Sequence, residues 1–237
     1  MTFLTAGLMF GIAMLRAKKP APVRNIPAYD HLHKAVGRLV EDGTRLHVSL
    51  GRGGLVTAQS ASALAGLTLL RRLAAMTSAG DKPPIATSGE AALALLSQDT
   101  LQGAASQYDR LTHDPSAGRL TGLTPFSYAA GVIGSIHDEN VSASILMGNF
   151  GIEAALLADA AERANTFTLA GSDNLVAQAV LYATSEQPLL GEEVFAAGAY
   201  ASPDPVHAAS LSTQDILRWL IIIAMLFGAL LKLTGIL

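Results

Sequence analysis

The chain has 237 residues, 16 Lys and Arg against 19 Asp and Glu, a formal net charge of −3 and no Cys. Half of it is hydrophobic, only 15% is charged and its mean hydropathy is +0.37, which excludes intrinsic disorder and speaks against nucleic-acid binding. Without Cys there is no disulfide framework, no thiolate nucleophile, no Cys-ligated zinc and no iron-sulfur cluster.

Residues 1–15 carry no charge, and Arg16, Lys18, Lys19 and Arg24 follow them. A secretory signal would place its basic residues before the apolar run and a small-residue cleavage site after it. The reverse order predicts a retained N-terminal membrane anchor over residues 1–16, although fifteen helical residues reach only about 22 Å against a hydrocarbon core of roughly 30 Å. A buried hydrophobic arm is the alternative. Residues 17–27, with Pro20, Pro22 and Pro27 among basic side chains, form a linker.

An α/β domain is predicted over residues 28–211. Tyr29–Asp42 reads as a helix, with Leu32, Val36, Leu39 and Val40 at helical spacing and Gly43 as its stop. Leu46, Val48 and Leu50 then alternate with His47 and Ser49, a strand's period of two, and Gly51, Arg52, Gly53 and Gly54 interrupt it. Ser60–Ser78 is a helix whose face carries Leu64, Leu67, Leu70 and Leu73. Pro84–Thr87 is a second strand, Gly89–Gln107 a helix, and Thr124 with Pro125 the cap and first turn of another that runs through Ile136. Ser144–Met147 is a third strand ended by Gly148, Asn149, Phe150 and Gly151, and Ile152–Ala164 is a helix. Thr166–Ala170 is a fourth strand ended by Gly171. Asn174–Thr184 has a helical pattern, with a strand as competitor, and Gly191–Tyr200 is a short helix. Strands alternating with helices predict an α/β fold, a mostly parallel sheet with flanking helices, Rossmann-like.

The chain closes on Ile216–Leu237, 22 apolar-rich residues or about 33 Å of helix, opened by Ser212 and Asp215 as a capping box. Residues 212–237 are therefore predicted to be a transmembrane helix, with Arg218 and Trp219 at one interface and Lys232 snorkelling toward the other. A helix buried between subunits is the alternative. Because Arg16, Lys18, Lys19 and Arg218 lie on the side of the central region, that region is expected to be cytoplasmic and the protein a multi-pass one.

Four stretches carry a resemblance: Ala35-Val-Gly-Arg38 with Glu41 and Gly43, Phe126-Ser-Tyr-Ala-Ala-Gly131, Met147-Gly-Asn-Phe150, and Leu190-Gly-Glu-Glu-Val-Phe-Ala-Ala-Gly-Ala-Tyr200. The chain resembles the DUF6754 family of bacterial membrane proteins over most of its length. It departs from the pattern at Ser185-Glu-Gln-Pro188. The family supplies no catalytic assignment, so the resemblance implies an architecture and little else.

In an open parallel sheet, ligands bind beyond the carboxyl ends of the strands, where Gly51, Arg52, Gly53, Gly54, Ser88, Gly148, Asn149 and Gly171 would stand. Backbone amides there, with the charge of Arg52, suit an anion. Against a dinucleotide, Val56 replaces the third glycine of the fingerprint and no acidic residue follows about 20 positions on. His47-Val-Ser49-Leu-Gly51 has His where a nucleophile elbow needs Gly. His31 and His33, two apart on a helix, point to different sides, and the same doubt attends His137, Asp138 and Glu139 as metal ligands. Glu192 and Glu193 fit first-turn electrostatics better than acid-base work, and Arg38 with Glu41 reads as an ion pair. No catalytic set, no metal site and no cofactor is predicted. The expected partners are the lipid bilayer and further copies of the chain, with no nucleic acid. The function expected is a membrane-anchored scaffold whose α/β domain self-assembles into a homo-oligomer. The alternative is a membrane-tethered sensor or enzyme for a small anionic ligand or nucleotide.

Overall fold

The computed structural model describes residues 25–57, 60–77, 80–106, 114–201 and 205–233, with Gly7 and Gly11. The chain divides into two units, Ile26–Ala201 on the one hand and Met1–Asn25 with Ser202–Leu237 on the other.

The first unit begins with helix α1 (Pro27–Glu41), whose Pro sits in the first turn, where a missing N–H costs nothing. Ala28, Tyr29, Leu32, Val36 and Leu39 recur along one stripe and are buried. Gly43, at φ +62°, supplies the left-handed turn that ends the helix and leads into the sheet. There follow β1 (Arg45–Gly51), α2 (Ser60–Thr77), β2 (Ile85–Ser88), α3 (Ala91–Ser106), β3 (Gly118–Leu120) and α4 (Pro125–Asp138). After them come β4 (Val141–Asn149), α5 (Ala154–Arg163), β5 (Phe167–Ser172), α6 (Leu175–Thr184), β6 (Gln187–Leu189) and α7 (Glu193–Ala201).

The six strands form one sheet in the order β3-β2-β1-β4-β5-β6, and every neighbouring pair is parallel. Side chains of α1, α2, α3 and α7 share one hydrophobic cluster with Leu46, Val48 and Leu50 of β1. Those of α4, α5 and α6 share a second cluster with Leu146 and Ala170. The sheet is thus covered on both faces, the condition under which parallel strands are stable. His47 and Ser49, which read as the polar side of an alternating strand, are fully buried for that reason.

Several elements differ from expectation. The three-residue edge strands β3 and β6 carry no periodic signal, and Pro188 is tolerated in β6 because an edge strand has a free N–H side. Strand β4 begins at Val141 and continues through Gly148 and Asn149, and β5 contains Gly171, so these residues lie in strands instead of loops. Residues 174–184 resolve as a helix capped by Asn174, whose side chain accepts the Val176 N–H at 2.9 Å. Leu64 is exposed while Leu67, Leu70 and Leu73 are buried.

In the second unit, helix α8 spans Pro205–Leu233, 29 residues. Ser212 and Asp215 therefore lie inside a helix and do not cap one. Pro205 takes the first position, and Asp215 faces Arg218 at 3.7 Å one turn on. Within it Leu211–Leu233 is long and apolar enough to cross a membrane, and none of its apolar window is buried. Trp219 is exposed and Lys232 stands in the last turn. Of the predicted N-terminal anchor only Gly7 and Gly11 are described, both helical. Arg16, Lys18 and Lys19 lie outside the described residues.

Candidate functional site

The strand order reverses between β1 and β4, which is where an open parallel sheet leaves a crevice at its carboxyl edge. Here the two strand ends meet backbone to backbone. Gly51 pairs with Asn149 after a register shift. It has φ +72°, and a Cβ on it would stand 2.4 Å from the Asn149 carbonyl oxygen. A Cβ on Gly148 would stand 2.0 Å from the Leu50 carbonyl oxygen, and one on Gly66 of α2 would stand 2.4 Å from that of Met147. A Cβ on Gly171 would meet Val194 and Leu189 at 2.8 and 3.0 Å. Gly51, Gly148 and Gly171 are therefore required by close packing of strands and helices on one another.

Arg52, the one cation of the predicted anion site, crosses Gly89 and places its Nε 2.9 Å from Oε1 of Glu153. The Glu153 side chain is 1% exposed against 25% for Arg52. Its second oxygen, Oε2, is buried without a hydrogen bond. Burial pushes this carboxyl up, but the Gly151 amide, Arg52 and its own backbone together hold it below the ordinary range. Glu153 immediately precedes α5 and makes no side-chain capping bond to it, so its carboxylate adds negative charge beside that helix N-terminus, where an external anion would be repelled.

The remaining polar groups also answer one another. Asn149 Nδ2 donates to Asp173 Oδ1 at 2.7 Å, Ser88 Oγ donates to the Glu90 carbonyl at 3.1 Å, and Ser172 Oγ accepts the Phe150 N–H at 3.2 Å. Thr57 closes the loop on the Gly54 carbonyl through its hydroxyl at 2.7 Å, and Gly53 is buried.

Beneath this edge, β1 turns His47, Ser49 and Gly51 to the side of α4. The Tyr128 hydroxyl of α4 lies 2.6 Å from Ser49 Oγ and accepts the Gly51 N–H at 3.2 Å. Burial raises its pKa to about 12, against the opposing pull of hydrogen bonds from Ser49, Thr87 and Gly51. His47 is held between Ser144 Oγ and Thr87 Oγ1, each at 2.9 Å. Ser49 thus sits within a strand, engaged with a tyrosine, and not on the exposed turn of a nucleophile elbow. Tyr128, Glu153 and Asp173 escaped sequence reasoning, since their partners are far away along the chain.

His47 predicts a pH dependence. Burial, and secondarily the charge of Arg119, lowers its pKa from 6.5 to about 3. Between those values the unfolded chain binds a proton that the folded chain does not, so stability rises with pH there and is lost as pH falls below 6.5. The expected slope is about 1.4 kcal/mol per pH unit for this one group. Denaturant unfolding of the full chain at pH 7.5, 6 and 5 checks it, and the His47→Asn variant should show a shallower acid decline.

Other candidates fall apart in space. His33 Nδ1 donates to the Tyr29 carbonyl at 2.7 Å, Glu139 joins Arg45 and lies 2.7 Å from Arg119, and Glu193 accepts the Leu190 N–H at 3.3 Å. Arg38 and Glu41 form no ion pair with each other. Among the described residues no three His, Asp or Glu cluster as metal ligands. At the opposite, amino edge of the sheet, a cleft of about 920 Å³ separates His31, Lys34 and Arg38 of α1 from Glu162 and Glu186. It carries charge of both signs.

The match to a family model covers residues 1–237, the whole chain. The chain belongs to the DUF6754 family, a domain of unknown function. Comparison with the curated proteins and with the solved structures gives no match. For this DUF6754 chain the functional reading therefore rests on its own geometry.

Proposed function

We propose that this DUF6754 chain is a membrane-anchored structural protein whose α/β domain assembles with copies of itself on the cytoplasmic side of a bilayer. The observation that carries this reading is the closed switch point. Where this strand order would offer a crevice, Arg52 is bound to Glu153, Asn149 to Asp173 and Ser49 to Tyr128, and the glycines are spent on backbone contacts. A ligand there would have to displace internal partners. The unburied apolar window of α8 supports the anchor, the apolar residues 1–15 supply a second segment for a multi-pass arrangement, and the flanking basic residues support the orientation.

Native mass spectrometry of the full-length chain, gently extracted in detergent, tests this reading. A discrete multimer without bound small molecules is expected, and a monomer overturns it.

A second reading, a small anionic ligand or nucleotide at the 51–54 loop, is favoured by the reversal of strand order beside the partly exposed Arg52. Its signature is a stoichiometric adduct of nucleotide size that is lost in an Arg52 variant that still folds.

A further inference from the structure

Leu95 and Tyr182 are exposed on helix surfaces, but six more of the well-exposed large apolar side chains of the first unit stand at one end of the sheet. Val56 follows β1, Leu123 and Phe126 follow β3, Ile152 follows β4, and Leu175 and Val176 follow β5, all between 54% and 101% exposed. Because strands of a parallel sheet all end on the same side, residues in the loops and first helical turns after them share its carboxyl edge. Six strands make that edge about 24 Å wide. Together the six side chains present on the order of 700 Å². A stable interface takes about 800 Å² from each partner.

The charges on this edge are already engaged. Glu90 accepts the Leu93 N–H at 2.8 Å at the start of α3, Glu193 accepts the Leu190 N–H at the start of α7, and Glu153 holds Arg52 at the start of α5. Asp173, bonded to Asn149, and Glu192 stand on the same edge, so its carboxylates outnumber its one cation, and the positive ends of the helix dipoles that begin there offset much of that charge. A bilayer is a poor occupant. Surfaces that lie on lipid offer Lys and Arg to the headgroups, whereas Arg52 is the one cation of this edge among the described residues, and it is paired.

We infer that the carboxyl edge of the sheet is the surface through which two copies of this chain join, apolar edge to apolar edge. The inference rests on the self-assembly proposed above and adds its location. In a two-fold contact the same patch of each copy faces that of its partner, so projecting apolar side chains can pack on their own kind. Confinement of both copies to one membrane raises their effective concentration.

The chain has no Cys, so a single introduced thiol reports on one position. In the full-length protein in detergent, Leu175→Cys is expected to give a dimer with a bifunctional maleimide, while Leu95→Cys, on exposed α3 surface, is expected to give monomer. Phe126→Glu with Leu175→Glu is expected to lower the mass seen in native mass spectrometry to that of one chain, with the unfolding midpoint within a few degrees of wild type. A wild-type multimer that survives these edge variants overturns the assignment of the edge and leaves self-assembly standing. A monomeric wild type overturns both. Aqueous maleimide labelling of Leu175→Cys that is blocked only in the presence of lipid vesicles assigns the edge to the bilayer and overturns the inference.

Discussion

Gly148→Ala is expected to cost about 3 kcal/mol or more, enough to leave the domain largely unfolded at moderate temperature. The new methyl carbon would lie 2.0 Å from the Leu50 carbonyl oxygen and 2.5 Å from its carbon. No rotamer change relieves a contact between a Cβ and another strand's backbone. Relief means separating β1 from β4, the central pair of the sheet, on which Gly51 with Asn149 and Gly148 with Ser172 depend for register. The comparison is Gly37→Ala. That glycine is exposed in the middle of α1, where a Cβ meets nothing within 4 Å, and the substitution should stabilise by about 0.5–1 kcal/mol through the ordinary helix preference for Ala. Thermal unfolding of the two full-length variants by far-ultraviolet circular dichroism checks both, and equal midpoints would refute the close-packing account of these glycines.

Arg52→Ala should be nearly as damaging, at about 3–5 kcal/mol, because it strands a buried carboxylate whose Oε2 already lacks a partner. Glu153→Gln should cost less, since Arg52 keeps a quarter of its side chain in water and can turn outward. The pH dependence separates this from loss of a ligand site. In the wild type the Glu153 carboxyl lies below its usual 4.5, so its contribution is present above that value and is lost as pH falls through the folded pKa. Without the guanidinium, burial is opposed only by the Gly151 amide and the residue's own backbone, so the folded pKa rises above that of the wild type. The folded state then binds the proton more tightly, and the deficit of Arg52→Ala relative to wild type narrows on acidification. Denaturant unfolding of both variants at pH 7 and pH 5 measures it, and a deficit independent of pH would show that the ion pair is not what Arg52 contributes.

The type and order of the longer elements could be read directly from the chain, because each is set by contacts within a few residues. Tyr29, Leu32, Val36 and Leu39 make a stripe on any helix, Gly43 stops it, and Thr124 before Pro125 starts another. The start of the last helix differs from expectation, since Pro205 opens α8 seven residues before the predicted cap at Ser212. The short strands β3 and β6 left no local trace, since three residues such as Gln-Pro-Leu become a strand only when a neighbouring edge supplies their hydrogen bonds.

That the residues after the strands share one edge of the sheet follows from chain direction alone, since all strands of a parallel sheet end on the same side. What those residues do there was decided in three dimensions. Arg52 finds Glu153 across 101 residues, and Ser49 finds Tyr128 across 79. A glycine that binds a ligand and a glycine pressed against another strand are the same letter, and only the 2.0 Å approach at Gly148 distinguishes them. The sequence by itself determined an α/β chain with an apolar C-terminal helix, because periodicity and hydropathy are local or additive quantities. Only the tertiary structure decided that His47 is buried, that the switch point is filled from within and that exposed apolar side chains gather at the carboxyl edge, because each depends on which distant segments the fold brings into contact.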